Sequence, residues 1–108
     1  MKQNELLKSS IAILQELISF DTTSRESNLA LIEHIQSYLE NLGIESRLTH
    51  NATGGKANLW ATIGQKKPGG IVLSGHLDVV PIDGQEWSAD AFNTVSYTHL
   101  TLPTKRIV

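Results

Sequence analysis

The run from Ile71 to Pro81, Ile-Val-Leu-Ser-Gly-His-Leu-Asp-Val-Val-Pro, limits what this chain can fold into more than any other stretch. Three branched apolar residues, Ile71, Val72 and Leu73, follow the turn pair Gly69-Gly70, a pattern that predicts a short, fully buried strand. Ser74-Gly75 ends the run, and a glycine there lets the backbone turn. His76 is then delivered at the carboxyl end of a buried strand, where open α/β sheets carry their sites. In extended backbone residues i and i+2 project to the same side, so His76 and Asp78 are offered together. A neutral imidazole can bind zinc through one ring nitrogen while a carboxylate on the other fixes its tautomer and orientation. On that reading His76 is a metal ligand and Asp78 its orienting partner. The plainer alternative is that His-x-Asp is a polar loop after a strand.

Before this run the periodicity is helical. Leu7, Ile11, Leu14 and Ile18 step by four, three and four, predicting a core-packing helix near Lys2 to Ser19. Asp21-Thr22-Thr23-Ser24 interrupts it with turn and capping residues. A second helix is expected from Ser24 to Leu42, with Ile32, Ile35, Leu39 and Leu42 on one stripe and Gly43 closing it. Glu33-His34 lie side by side on this helix, about a hundred degrees apart, so they read as a solvated face rather than a metal pair. Strands are expected near Ile44 to Thr49, Asn58 to Gly64 and Ile71 to Ser74, with Asn51 to Gly55 as the first turn and Trp60 as packing. Residues 82–93 have no period and read as a loop.

At 108 residues, with 40% hydrophobic and 19% charged, the composition is that of an ordinary single globular domain. No apolar run has the length of a membrane span, and Met1 to Glu5 lacks the features of a signal peptide, so the expected compartment is the cytoplasm. The chain has no cysteine, which excludes disulfides, thiolate zinc sites and a cysteine nucleophile, so any metal is held by His, Asp and Glu. A formal charge of -2 offers no basic face for nucleic acid.

Ser74-Gly75-His76-Leu77-Asp78-Val79-Val80-Pro81 resembles the metal-binding signature of the co-catalytic zinc aminoacylases and peptidases. Phe20 to Leu29, Lys56 to Gly64 and Asp83 to Ser88 are similar to the acetylornithine deacetylase branch of that family. Leu77 stands where the family more often has Thr, and Ala91 where it usually has Pro. The resemblance implies that His76 binds one of two zinc ions, with cobalt as a possible substitute, and that Asp78 is an active-site residue beside it. It also implies a small N-acyl amino acid as substrate, hydrolysis of N2-acetyl-L-ornithine in arginine biosynthesis, and a homodimeric parent. A metal pair in such an enzyme polarises the amide carbonyl and acidifies a water, with a Glu as general base.

The nearest rival within the family is succinyl-diaminopimelate desuccinylase, whose Ser-Val-Thr-Pro segment and Pro-Gly-Asp loop differ from Ser19 to Arg25 and Ile82-Asp83-Gly84 here. A nonenzymatic α/β interaction module, with His76 and Asp78 structural, is the reading of another class. The expected fold is α/β: an N-terminal fragment of a zinc-peptidase-like catalytic domain, with two helices followed by three strands of an incomplete mixed sheet.

The family resemblance covers residues 1–93 and stops there. Val95 to Thr104 instead resembles the in-frame translation of a transposase-based sequencing adapter, so residues 94–108 are expected to be a non-native tail and His99 no ligand.

Overall fold

The computed structural model describes residues 2–87, 90–93, 95–96 and 100–101. The chain divides into two compact units, one of Met1–Asp21 with Pro81–Val108 and one of Thr22–Val80.

In the first unit, helix α1 spans Gln3–Ile18. Glu5 lies in its first turn, favourably placed on the positive end of the helix dipole. Its last turn is tied off by Ser19, whose amide donates to Gln15 O and Glu16 O at 3.2 Å and whose hydroxyl donates to Glu16 O at 2.6 Å. The helix expected from the four-three-four stripe is present, but its packing role is not: none of its residues is buried, and Leu7 and Leu14 are exposed. Periodicity reports that one face is apolar; what covers that face is a separate matter. Trp87 Nε1 donates to Ile82 O at 3.3 Å, and Ala91 is buried. A two-residue antiparallel ladder joins Val95–Ser96 to Leu100–Thr101. The remaining residues of the expected tail, His99 among them, lie outside the described residues.

The second unit carries helix α2, Leu29–Asn41, and an antiparallel hairpin of β1, Ser46–His50, and β2, Ala57–Ala61. Helix α2 starts five residues later than its sequence suggests, because Thr23 is engaged elsewhere and Asn28 is the cap residue. Ser27 Oγ accepts from the Leu29 amide at 3.2 Å and donates to Gly55 O at 2.5 Å. The helix closes as the sequence indicates. Gly43 takes φ 77°, Ile44 N donates to Leu39 O at 2.9 Å and Gly43 N to Glu40 O at 2.9 Å, the paired bonds of a Schellman ending. Leu31 and Ile32 are the buried residues of α2, so the core-facing stripe runs through Leu31 as well as Ile32, while Leu42 is exposed. Fully burying a side chain such as Ile32 contributes about 1.5–3 kcal/mol.

Register in the hairpin pairs Leu48 with Leu59 and Arg47 with Trp60. Because side chains alternate, Leu48, Leu59 and buried Ala57 share one face and Arg47 and Trp60 the other. Trp60 is therefore not packing as expected: it is 53% exposed on the outer face, across from Arg47. The turn from Asn51 to Gly55 forms as expected. Asn51 N donates to Lys56 O at 2.9 Å, and the Asn51 side chain accepts from Lys56 N at 3.2 Å. Asn28 joins helix to hairpin by reading the Ala57 backbone as a neighbouring strand would. Its Nδ2 donates to Ala57 O at 2.9 Å and its Oδ1 accepts from Ala57 N at 3.0 Å.

The third expected strand does not form. Ile71 to Ser74 carries no ladder among the described residues, and Ile71, Val72 and Leu73 are 90%, 68% and 93% exposed. The second unit is a small α/β unit with a two-stranded antiparallel sheet in place of the three strands of a mixed sheet expected from the sequence. A β-branched run signals that a segment is suited to burial in a sheet. It does not supply the neighbouring strands, and a strand buried on both faces needs them. Among the described residues no helix is long and apolar enough to cross a membrane.

Candidate metal ligand and its carboxylate partner

Thr22-Thr23-Ser24 runs alongside Leu77-Asp78-Val79 as a short parallel bridge. Thr23 pairs with Val79, Val79 N donates to Thr22 O at 3.1 Å and Ser24 N donates to Val79 O at 3.1 Å. Thr22 Oγ1 adds a bond to Leu77 O at 2.6 Å. Thr22 and Thr23 are buried, at 5% and 1% exposure, so the strip that grips the His-x-Asp segment is itself anchored.

On this bridge Asp78 faces His76. His76 Nδ1 lies 2.8 Å from Asp78 Oδ1 and 3.1 Å from the Asp78 carbonyl oxygen. Both are acceptors, so Nδ1 carries the proton and the lone pair of the neutral ring sits on Nε2. The i, i+2 spacing does bring imidazole and carboxylate together, though at an exposed loop rather than the tip of a buried strand. The His76 side chain is 85% exposed and that of Asp78 59%. The hydrogen bond from His76, and after it one from Ser24 Oγ to Asp78 Oδ2 at 3.0 Å, hold the Asp78 carboxyl below the usual aspartate range. Both stabilise the ionised form.

A histidine whose Nδ1–H is held by a carboxylate is the form in which imidazole binds zinc through Nε2. The residues here fit one ligand position of such a site and no more. Among the described residues no group of three His, Cys, Asp or Glu side chains could hold a metal ion. Catalytic zinc commonly takes about three protein ligands and a water.

Sequence reasoning passed over Ser24 and Thr22, reading Asp21 to Ser24 as a break between helices. The signal available was three consecutive hydroxyl residues, which can bond side chain to backbone across a gap as readily as they cap a helix. A separate open groove of about 440 Å³ is lined by Glu45, Ser46, Arg47, Trp60, Thr62 and Lys66, and neither His76 nor Asp78 borders it.

Comparison with known proteins adds a family match and several relatives. Residues 9–86 match the model of the LAGLIDADG-like domain family. That description names a domain and no reaction, and the run of letters in its name does not occur here. Leu29-Ala30-Leu31-Ile32-Glu33 comes nearest and lacks both glycines. The chain is 38% identical over 89 residues to acetylornithine deacetylase of Photorhabdus laumondii, covering 82% of this chain and 23% of that protein. It is 41% identical over 73 residues to the acetylornithine deacetylase of Proteus mirabilis, covering 67% of this chain and 19% of that protein. For that of Pasteurella multocida the identity is 37% over 75 residues, 68% of this chain and 19% of the other. The chain thus spans about a fifth to a quarter of the length of these curated relatives. No solved structure matches it. By these matches the chain belongs to the LAGLIDADG-like domain family over residues 9–86, and it is similar over 67–82% of its length to acetylornithine deacetylases, the likeness that bears on the chemistry of His76 and Asp78.

Proposed function

We propose that this chain is a portion of a metal-dependent amidohydrolase that converts N2-acetyl-L-ornithine to L-ornithine and acetate, a step of arginine biosynthesis. Water adds to the acetyl carbon, the amide C–N bond breaks, acetate takes the hydroxyl and the ornithine amine takes the proton. His76 contributes one metal ligand through Nε2, zinc being the metal and cobalt its substitute, and Asp78 holds the ring by Nδ1. The observation that carries this reading is the 2.8 Å contact between His76 Nδ1 and Asp78 Oδ1, which fixes the ligating tautomer before any metal arrives. The names of the relatives support the substrate class. The remaining ligands and the general base come from residues outside this chain, and the whole enzyme works in the cytoplasm as a homodimer.

A chimera tests the proposal. Residues 1–93 replace the matching part of the Photorhabdus laumondii relative, and turnover of N-acetylornithine is compared with that of N-succinyl-diaminopimelate. Preferred turnover of the acetyl substrate is the expected result. Preference for the succinyl substrate would move the assignment to the desuccinylase, and a zinc-loaded chimera inert toward both would remove it.

A further inference from the structure

We infer that Ser24 is a positioning residue for the His76–Asp78 pair, holding the Asp78 carboxylate so that its other oxygen faces the imidazole. The inference rests on the reading of Asp78 as the group that orients His76. A carboxylate has two oxygens and turns about a soft torsion, so a single contact with an exposed histidine leaves its plane free. Here both oxygens are occupied, Oδ1 by His76 Nδ1 at 2.8 Å and Oδ2 by Ser24 Oγ at 3.0 Å. A hydroxyl donates one proton, and Val79 O, at 3.4 Å, is the longer and weaker of its two possible acceptors.

Ser24 can serve this way because it is itself fixed. Its amide bonds Val79 O at 3.1 Å, its carbonyl accepts from Lys56 Nζ, and the adjoining Thr22 and Thr23 are buried against the same segment. Two pieces of chain more than fifty residues apart are thereby locked in register beside the His76 imidazole. Thr22 to Ser24 thereby take a role that neither a helix cap nor a turn requires.

The test is nitrogen-15 NMR of the histidine ring in the 108-residue chain, at an alkaline pH where imidazole is neutral, which reads the tautomer directly and needs neither metal nor activity. The expected order is Nδ1–H for the parent, a shift toward Nε2–H in Asp78→Asn, a shift in the same direction in Ser24→Ala, and recovery of the parent spectrum in Ser24→Thr. Circular dichroism of each variant accompanies the spectra, and should Ser24→Ala lose its fold, Ser24→Cys, similar in shape but a weak donor, takes its place. A shift in Asp78→Asn with none in Ser24→Ala would overturn the role of Ser24 and leave that of Asp78 intact. Ser24→Thr behaving like Ser24→Ala would also overturn it, since the hydroxyl would not be what matters. No shift in Asp78→Asn would overturn both roles.

Discussion

The exposed run Ile71-Val72-Leu73 predicts weak self-association that a single charge abolishes. Fully burying a Val, Leu or Ile side chain contributes about 1.5–3 kcal/mol. Scaled by exposures of 90%, 68% and 93%, the three side chains leave roughly 4–7.5 kcal/mol of burial unrealised in each molecule, about 8–15 kcal/mol for a pair. Bringing two molecules together costs an estimated 4–15 kcal/mol in lost freedom of motion, which offsets most of that gain, so pairing of this strip is weak rather than a tight dimer. Unpaired backbone along the strip adds hydrogen bonds and favours strand-to-strand contact. Val72→Lys removes the middle side chain and places like charges opposite each other in any such pair. Sedimentation velocity from micromolar to near-millimolar protein is the assay. The parent should show a rising weight-average sedimentation coefficient and Val72→Lys a flat one. A monodisperse parent across that range, or equal association in Val72→Lys, would refute the reasoning.

Asn28→Ala strips the amide that satisfies both polar groups of buried Ala57, two hydrogen bonds of about 1 kcal/mol each, so loss of roughly 2 kcal/mol and faster exchange of the Ala57 amide are expected by hydrogen-exchange NMR. Gly43→Ala places a Cβ on a residue at φ 77° and should destabilise the end of α2 by about 1 kcal/mol, read as fraying of Leu42 and Gly43 in the same experiment. Because Asp78 titrates below the ordinary aspartate range when folded, the stability it contributes is present above the unfolded carboxyl pKa and is lost as pH falls through the folded one. A carbon-13 titration of the metal-free chain should give Asp78 a depressed midpoint that rises in His76→Ala.

What the sequence made legible was local. Apolar steps of four-three-four located α1 and steps of three-four-three located α2, Gly43 marked the end of α2, and the alternation around Leu48 and the β-forming residues around Leu59 marked the hairpin, because each depends on residues within a few positions. The pairing of His76 with Asp78 was readable for the same reason, as an i, i+2 relation. What failed depends on partners distant in sequence. Ile71 to Leu73 has the composition of a buried strand, yet no described strand lies beside it, and α1 has an apolar face with no buried residue. Trp60 looked like packing, but its register opposite Arg47 puts it on the outer face. Ser24 and Thr22 were missed because their partners, Asp78 and Leu77, are more than fifty residues away, and no local pattern announces that distance.

Metal content of two substitutions in the chimera bears most directly on the roles given to His76 and Asp78. Zinc per chain, measured by elemental analysis beside acetylornithine turnover, should fall together with activity in His76→Ala. In Asp78→Asn much of the zinc should remain, with affinity or rate lowered by about ten- to a hundredfold, as for loss of a carboxylate behind a metal-binding histidine. Full zinc and full rate in His76→Ala would contradict the account, because the imidazole held by Asp78 would then not be a ligand.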